Sequence, residues 1–266
     1  MLLKLCWKKL IRKKVMLRKY SNHRTLSDNI KLGALTAFSA GMVNVASVTV
    51  FFAFTSNVTG YYAVFAQELS KGNWYQGAVV LLWILTFFLG SLLSNFVIIQ
   101  GKDRKNQYLA HTIPVVLEIF SILFVGIYLD FFYKNSLQET EFLVASLLFA
   151  MGLQNGLTAS ISNSVVKTTH LTGLTTDLAI LISMFSKREH RYNKSLVDKF
   201  HLLLSIMAGY VLGGLFSGVV YGFLENGIFY ITCGVLLVIA FYDLYKLKRI
   251  KHIFEKRHSP KQVEVF

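Results

Sequence analysis

The hexapeptide Thr-Ser-Asn-Val-Thr-Gly at residues 55–60 recurs as Thr-Thr-His-Leu-Thr-Gly at residues 168–173. We call these stretches the first and second hexapeptides. Each follows an apolar stretch that contains Gly-x-x-Asn, at residues 41–44 and 152–155, and each precedes a short apolar segment and two further hydrophobic spans. This order indicates one structural unit used twice. Polar residues at membrane depth persist only where protein or a cavity surrounds them, so the hexapeptides are also candidate sites.

The composition is typical of an integral membrane protein. Of the 266 residues, 54% are hydrophobic and only 16% are charged, which is too few to solvate a globular chain of this length. We therefore predict an all-α membrane protein with about six transmembrane helices. The six apolar stretches of bilayer length lie at about residues 30–54, 77–99, 111–132, 142–163, 201–224 and 227–247.

Two shorter apolar segments, Tyr61–Leu69 and Leu171–Phe185, follow the hexapeptides. At 1.5 Å per residue they cross only part of a bilayer, so we expect half-helices or re-entrant segments. The glycine that ends each hexapeptide permits a break in the chain, and Thr59 or Thr172 is the expected N-cap of the new helix. The positive end of each half-helix would then face the membrane interior, where it favours an anionic or carbonyl group.

The basic residues predict the topology. All but Lys71, Lys134 and Lys167 of the 28 lysines and arginines lie in the N-terminal segment, the 102–105 loop, the segment at 187–199 or the C-terminal tail. Six crossings place all four regions in the cytoplasm, whereas eight would move the 102–105 loop outside. The positive-inside rule favours six crossings, with both termini cytoplasmic.

A repeat unit of three crossings enters the membrane from opposite sides in its two copies, because three is an odd number. The sequence therefore predicts inverted repeats, an arrangement found in many secondary transporters. The predicted organisation is a basic cytoplasmic segment at 1–29, repeats at 30–132 and 133–247, and a basic cytoplasmic tail at 248–266.

The formal net charge of +14 is concentrated in the predicted cytoplasmic loops and tails. Orientation and contact with anionic membrane lipid account for this charge, so we predict no nucleic-acid partner. Residues 2–20 alternate aliphatic and basic side chains, and either an interfacial helix or a basic tail fits this pattern. Association into a homo-oligomer stays open.

The predicted solute-binding set comprises polar residues and glycines of the hexapeptides and of the segments before them. Its members are Asn44, Asn57, Thr59, Gly60, Gln154, Asn155, Thr169, His170, Thr172 and Gly173. The alternative is that the hexapeptides are helix-breaking turns that only shape the bundle. Small residues at four-residue spacing, as at Gly41 and Gly213, are interpreted as helix-packing positions.

Glu118 and Asp177 are the predicted coupling residues, because a carboxylate within an apolar span is costly unless it is paired or protonated. Lys167 and His170 are the expected partners of Asp177, and an ordinary ion pair at a helix end is the alternative.

The sequence contains no H-E-x-x-H, G-x-S-x-G, P-loop or C-x-x-C pattern, so we predict no enzymatic activity. Cys6 and Cys233 lie far apart without metal-ligand spacing. No cofactor, metal centre or disulfide is therefore expected.

The region Gly41-Met-Val-Asn44 with the first hexapeptide, and the region Met151-Gly-Leu-Gln-Asn-Gly156 with the second, resemble the YoaK-like family of bacterial integral membrane proteins. That family has no established function. The resemblance covers roughly residues 30–247 and implies a bacterial inner-membrane protein with about six spans. This chain departs from the family pattern at Asn44, where the family usually has Asp, and at Tyr61, where it usually has Asn.

Inverted duplication and paired broken helices favour a small secondary transporter or permease for a small solute. A binding site at helix N-termini would also suit an anionic solute. The rival interpretation is a membrane scaffold or a lipid-binding or partner-binding subunit, in which the hexapeptides only hold helices together.

Overall fold

The computed structural model describes residues 25–101, 107–162 and 164–241, and every regular element in these ranges is an α-helix. Residues 1–24 of the predicted N-terminal segment, the loop at 102–106, the end of the predicted sixth span and the predicted tail at 248–266 lie outside these ranges. The helices are α1 (Leu26–Phe51), α2 (Val58–Ser70), α3 (Trp74–Gln100), α4 (Gln107–Phe131), α5 (Leu137–Ser162), α6 (Leu171–Met184), α7 (Arg188–Arg191), α8 (Lys194–Leu224) and α9 (Gly227–Phe241).

Five of these helices, α1, α3, α4, α5 and α8, are long and apolar enough to cross a membrane. The predicted sixth span begins at α9, an apolar helix that reaches the end of the described residues. Helices α2 and α6 have 13 and 14 residues, about 20 Å each at 1.5 Å per residue. The prediction of two half-length helices after the hexapeptides is therefore confirmed.

The first helix begins four residues before its predicted start because of a capping box. The Thr25 hydroxyl accepts a hydrogen bond from the Asp28 backbone N–H, and the Asp28 carboxylate accepts one from the Thr25 backbone N–H at 2.9 Å. The helix ends at Phe51, because Phe52 adopts a left-handed conformation with φ of 55°.

Close packing of glycines joins the two repeats. A Cβ atom on any of four glycines would lie less than 3.0 Å from a backbone carbonyl oxygen of the facing helix: Gly41 from Tyr210, Gly213 from Phe38, Gly152 from Phe87 and Gly90 from Phe149. The first two contacts join α1 to α8, and the last two join α5 to α3 in the same pattern. Each repeat therefore packs its first long helix against the second long helix of the other, and the packing role predicted for small residues such as Gly41 and Gly213 is confirmed.

Helix directions show that the repeats are inverted. Contacts between α1 and α8 advance together along both helices, from Ala34–Gly209 to Met42–Ser217, so these two helices are parallel. Contacts between α3 and α5 also advance together, whereas α1 and α5 run in opposite directions: Phe51 meets Tyr133, and Thr36 meets Gln154.

Helices α1 and α8 therefore begin on one side, which we call the basic side because Lys187, Arg188 and Arg191 lie just before α8. Helices α3 and α5 begin on the opposite side. The core lies where α1 and α5 cross, around the fully buried Met42 and Met151. Large apolar side chains on the outer faces of α3 and α8 are exposed, as expected for surfaces that contact lipid.

Cysteine labelling tests which side faces the cytoplasm. In a background without Cys6 and Cys233, cysteines at Lys71 and Lys134 should react with an impermeant reagent outside the cell. Cysteines at Lys102 and Arg191 should react only after the membrane is opened, because the basic side is predicted to be cytoplasmic. Labelling of position 102 from outside would contradict six crossings.

Candidate functional site

The first hexapeptide re-enters the membrane next to α1. After Phe52 turns the chain back, the Asn44 side-chain oxygen accepts hydrogen bonds from the Thr55 backbone N–H at 2.8 Å and from the Thr55 and Ser56 hydroxyls, each at 3.2 Å. Asn44 lies seven residues before Phe51, about 10 Å back along the helix. One buried amide therefore binds three donors of the hexapeptide and holds it beside α1, about 10 Å before the end of that helix.

The second hexapeptide has the same anchor. Asn155 lies seven residues before Ser162 at the end of α5. Its amide nitrogen donates to the Thr169 hydroxyl at 2.6 Å, and its oxygen accepts a longer bond of 3.4 Å from the Thr168 hydroxyl. Thr168 is fully buried, as is its counterpart Thr55. The Gly-x-x-Asn segments and the hexapeptides therefore form one structural feature in each repeat.

Three residues that form or border the first hexapeptide were not among the predicted site residues. Thr55 and Ser56 lie in the repeated hexapeptide, so the repeat itself was the available signal. Tyr210 comes from α8, and its hydroxyl lies 3.3 Å from the Ser56 hydroxyl. The equivalent residue of the second repeat is Phe87, which has no hydroxyl.

The N-caps of the half-helices are Asn57 and His170. The prediction of Thr59 or Thr172 as the cap is wrong, because each helix begins directly after the third residue of its hexapeptide. The Asn57 side chain accepts a hydrogen bond from the Gly60 N–H at 3.1 Å, which satisfies one free donor of the first turn. The His170 side chain makes no such bond. Both cap residues are exposed, as are Thr59 and Thr172.

The glycines that end the hexapeptides lie beneath these cap side chains. A Cβ atom on Gly60 would come within 3.0 Å of the Asn57 amide, and one on Gly173 within 3.0 Å of the His170 ring. Glycine at these positions therefore lets the cap side chain fold over the first helical turn.

Both half-helices start in the interior and run to opposite faces. Helix α2 lies along α3, with Tyr61 against Trp83 at a ring distance of 5.1 Å, and ends at the turn before α3. Helix α6 lies along α8 towards the basic side, where the rings of Phe185 and Phe200 are 5.6 Å apart. The positive ends of two helix dipoles therefore point inward from opposite sides.

Gln154 lies at the interface of α1 and α5 and is 1% exposed. Its amide nitrogen donates to the Thr36 carbonyl at 2.8 Å and to the Ser39 hydroxyl at 2.7 Å. Its side-chain oxygen has no hydrogen-bond partner in the described part of the chain. The structure thus places the Gln154 amide group between the two central helices.

Asp177 pairs with Lys199 of α8 at 2.9 Å, and both side chains are nearly half exposed. The prediction that Lys167 or His170 pairs with Asp177 is wrong, because α6 lies against the first turns of α8, where Lys199 is located. A partly exposed ion pair of this kind contributes little to stability. Glu118 lies instead on α4, which packs against α3 and α5.

The exposed groups of the hexapeptides are an amide, an imidazole and hydroxyls beside first-turn N–H groups. These groups can bind a small polar solute through hydrogen bonds, chiefly by donating to its oxygen atoms. Among the described residues, no three His, Cys, Asp or Glu side chains are grouped so that they could hold a metal ion.

These features define a multi-pass membrane protein of two inverted repeats, each with a half-helix that begins in the membrane interior. The chain belongs to the family described as protein of unknown function (DUF1275), which matches residues 32–242. This match confirms the resemblance to YoaK-like proteins. No curated protein and no solved structure matches the chain.

Proposed function

We propose that this protein is a secondary transporter or permease of the bacterial inner membrane for a small solute. The observation that carries the proposal is the pair of half-helices, which begin in the membrane interior from opposite sides on turns anchored by Asn44 and Asn155. Transporters with inverted repeats bind their substrates near the bilayer midplane at such broken helices.

The contacts divide the predicted residues into two roles. Asn57, Thr59, His170 and Thr172 are exposed beside the helix N-termini, so they would contact the solute. Asn44, Asn155 and Thr169 are engaged in holding the turns, and Gly60 and Gly173 accommodate the cap side chains. Because the first-turn N–H groups donate hydrogen bonds, a solute with a carboxylate or carbonyl oxygen fits best.

One observation favours the second candidate, a non-transporting scaffold. The first two polar residues of each hexapeptide are engaged in hydrogen bonds within the protein, as helix-packing elements would be. In that case, the exposed residues of the hexapeptides would be dispensable.

Uptake into proteoliposomes distinguishes the two candidates. Small anions, amino acids and metabolites would be screened with the full chain and with two matched variants, Thr172→Val and Thr175→Val. Thr172 lies exposed in the first turn of α6, whereas the Thr175 hydroxyl donates to the Leu171 carbonyl of its own helix. We expect Thr172→Val to reduce uptake and Thr175→Val to leave it unchanged. Absence of uptake across the screen, with correct folding, would favour the scaffold.

A double-mutant cycle tests whether both hexapeptides act on one solute. Asn57 and His170 occupy equivalent positions and cap the two half-helices. Independent sites combine to within about 0.3–0.5 kcal/mol, whereas residues that share a ligand deviate more. Asn57→Ala and His170→Ala should therefore combine non-additively in the binding free energy of a solute found in the screen. Additive energies would indicate two separate turns rather than one site.

A further inference from the structure

A single carboxyl group lies deep among the described helices without an ionic partner. Glu118 of α4 is 1% exposed, and its Oε1 has no hydrogen-bond partner in the described ranges. Asp177, the other predicted coupling residue, is nearly half exposed and paired with Lys199. The two predicted coupling residues therefore differ sharply in their surroundings.

No basic residue faces Glu118 from the helices packed against α4. The described segments of α3, α5 and α9 contain no lysine or arginine. Their carboxylates are Glu139 and Glu141, in the first turns of α5, where they bond to groups near the opposite side. Helix α4 itself contributes Asp130, which bonds to Asn226 and Tyr230 near its end.

Two ionisable groups remain near Glu118. The Cys233 thiol of α9 donates a hydrogen bond to the carbonyl of Ile119, the residue after Glu118, at 3.6 Å. His111 lies seven residues before Glu118 on the same face of α4, about 10 Å towards the basic side, and is 1% exposed. The buried face of α4 thus carries two titratable groups in succession from its start.

The depth of Glu118 follows from the packing of α3 against α4. Gly101 lies against Ala110 where the two antiparallel helices meet on the basic side. Glu118 is about 12 Å from Ala110 along α4, and Ser94 is about 10 Å from Gly101 along α3. Ser94 is fully buried, and its hydroxyl also has no partner among the described residues. Glu118 therefore lies well inside the membrane, at the same depth as a second polar group without a partner.

These surroundings select the ligand of Glu118. An ionised carboxylate with no partner in an apolar interior is very costly, whereas the neutral acid is tolerated. Metal cations need several oxygen ligands, and no group of acidic, histidine or cysteine side chains surrounds Glu118 in the described ranges. A proton needs no such shell of ligands.

We propose that Glu118 is a reversible proton-binding site, reached from the basic side along the buried face of α4 that carries His111. A proton from water on that side converts the carboxylate to the neutral acid, and its release restores the carboxylate. Under the proposed transport function, on which this step rests, the proton is the coupling ion. The Asp177 carboxylate is instead partly exposed and paired with Lys199.

Infrared titration of the full chain in lipid nanodiscs tests the site directly. The wild-type protein should show the carbonyl band of a neutral carboxylic acid, and this band should disappear as the pH rises. Glu118→Gln should remove the band, whereas the control Asp177→Asn should retain it. Absence of a neutral acid in the wild type, or a band that persists in Glu118→Gln, would overturn the proposal. A Glu118 band that is constant over the pH range of the folded protein would also overturn it.

A hydrophobic carbodiimide provides a second measurement, because it modifies neutral carboxyl groups in apolar surroundings. We expect one adduct at Glu118 by peptide mass spectrometry, with less labelling at higher pH. In the uptake screen, Glu118→Gln should abolish the stimulation of uptake by an imposed pH gradient while uptake down a solute gradient persists. Equal stimulation in both proteins would overturn the coupling role.

Failure of the two proposals can be separated. The infrared titration needs no solute, so a titrating Glu118 in a protein that moves none of the screened compounds would refute the transport function alone. Uptake by a protein whose Glu118 never titrates would refute the proton site alone.

Discussion

Replacing Gly213 with alanine should strongly destabilise the protein. The added Cβ atom would lie less than 3.0 Å from the Phe38 carbonyl oxygen, and neither backbone can yield without separating α8 from α1. Overpacking of this kind costs about 1–3 kcal/mol, and more where backbone must move. Gly152→Ala should behave alike, because its Cβ atom would press on the Phe87 carbonyl of α3. Denaturant unfolding in detergent measures the loss of free energy of unfolding.

The matched control lies on the same helix. Beyond the backbone of its own helical turn, no described atom lies within 4 Å of the Cβ position of Gly222 in α8, and alanine is the better helix former by about 1 kcal/mol. Gly222→Ala should therefore leave stability unchanged or raise it. If Gly213→Ala and Gly222→Ala have equal effects, the close approach of α1 and α8 would be refuted, and the swapped pairing of the repeats with it.

Replacing Asn44 with leucine should abolish the ordered first hexapeptide. Leucine has a similar size but cannot accept the hydrogen bonds of the Thr55 N–H, the Thr55 hydroxyl and the Ser56 hydroxyl. Hydroxyls can turn to other acceptors, but the buried backbone N–H cannot, and leaving it unpaired costs about 1–3 kcal/mol. We expect this loss in unfolding free energy together with loss of solute uptake.

Two variants make this result specific. Asn44→Asp keeps a side-chain oxygen that can accept these hydrogen bonds, so the turn should persist. Asn155→Leu should cost less than Asn44→Leu, because among the described residues the Asn155 side chain bonds to the hydroxyls of Thr168 and Thr169 and to no backbone N–H. Equal stability of Asn44→Leu and the wild type would show that Asn44 does not anchor the turn.

Local sequence was enough to predict the half-helices. The segments after Gly60 and Gly173 are too short to cross a bilayer, and glycine next to polar residues permits the chain to break. These features depend on neighbouring residues alone. The cap positions were predicted wrongly. The N-caps are Asn57 and His170, two residues before the expected threonines. Several polar residues stand in succession in each hexapeptide, and the local sequence does not distinguish which of them caps the helix.

Contacts between distant segments could not be predicted. Tyr210 reaches the first hexapeptide across 154 positions of the chain, and no local pattern marks it. Lys199, rather than Lys167 or His170, pairs with Asp177 because α6 packs along α8. Each contact depends on which helices are neighbours, and several neighbour arrangements are compatible with the same apolar spans.

The sequence by itself determined that the chain lies in a membrane, that it consists of two copies of one unit, and that each copy contains a half-helix. Hydrophobicity, the recurrence of the hexapeptide and span length decide these properties, and all three follow from the order of residues. Only the tertiary structure decided that each repeat packs its first long helix against the second long helix of the other. It also buried Glu118 so that its Oε1 has no hydrogen-bond partner among the described residues. Packing between helices depends on the fit of surfaces in space, so residues far apart in the chain determine it together.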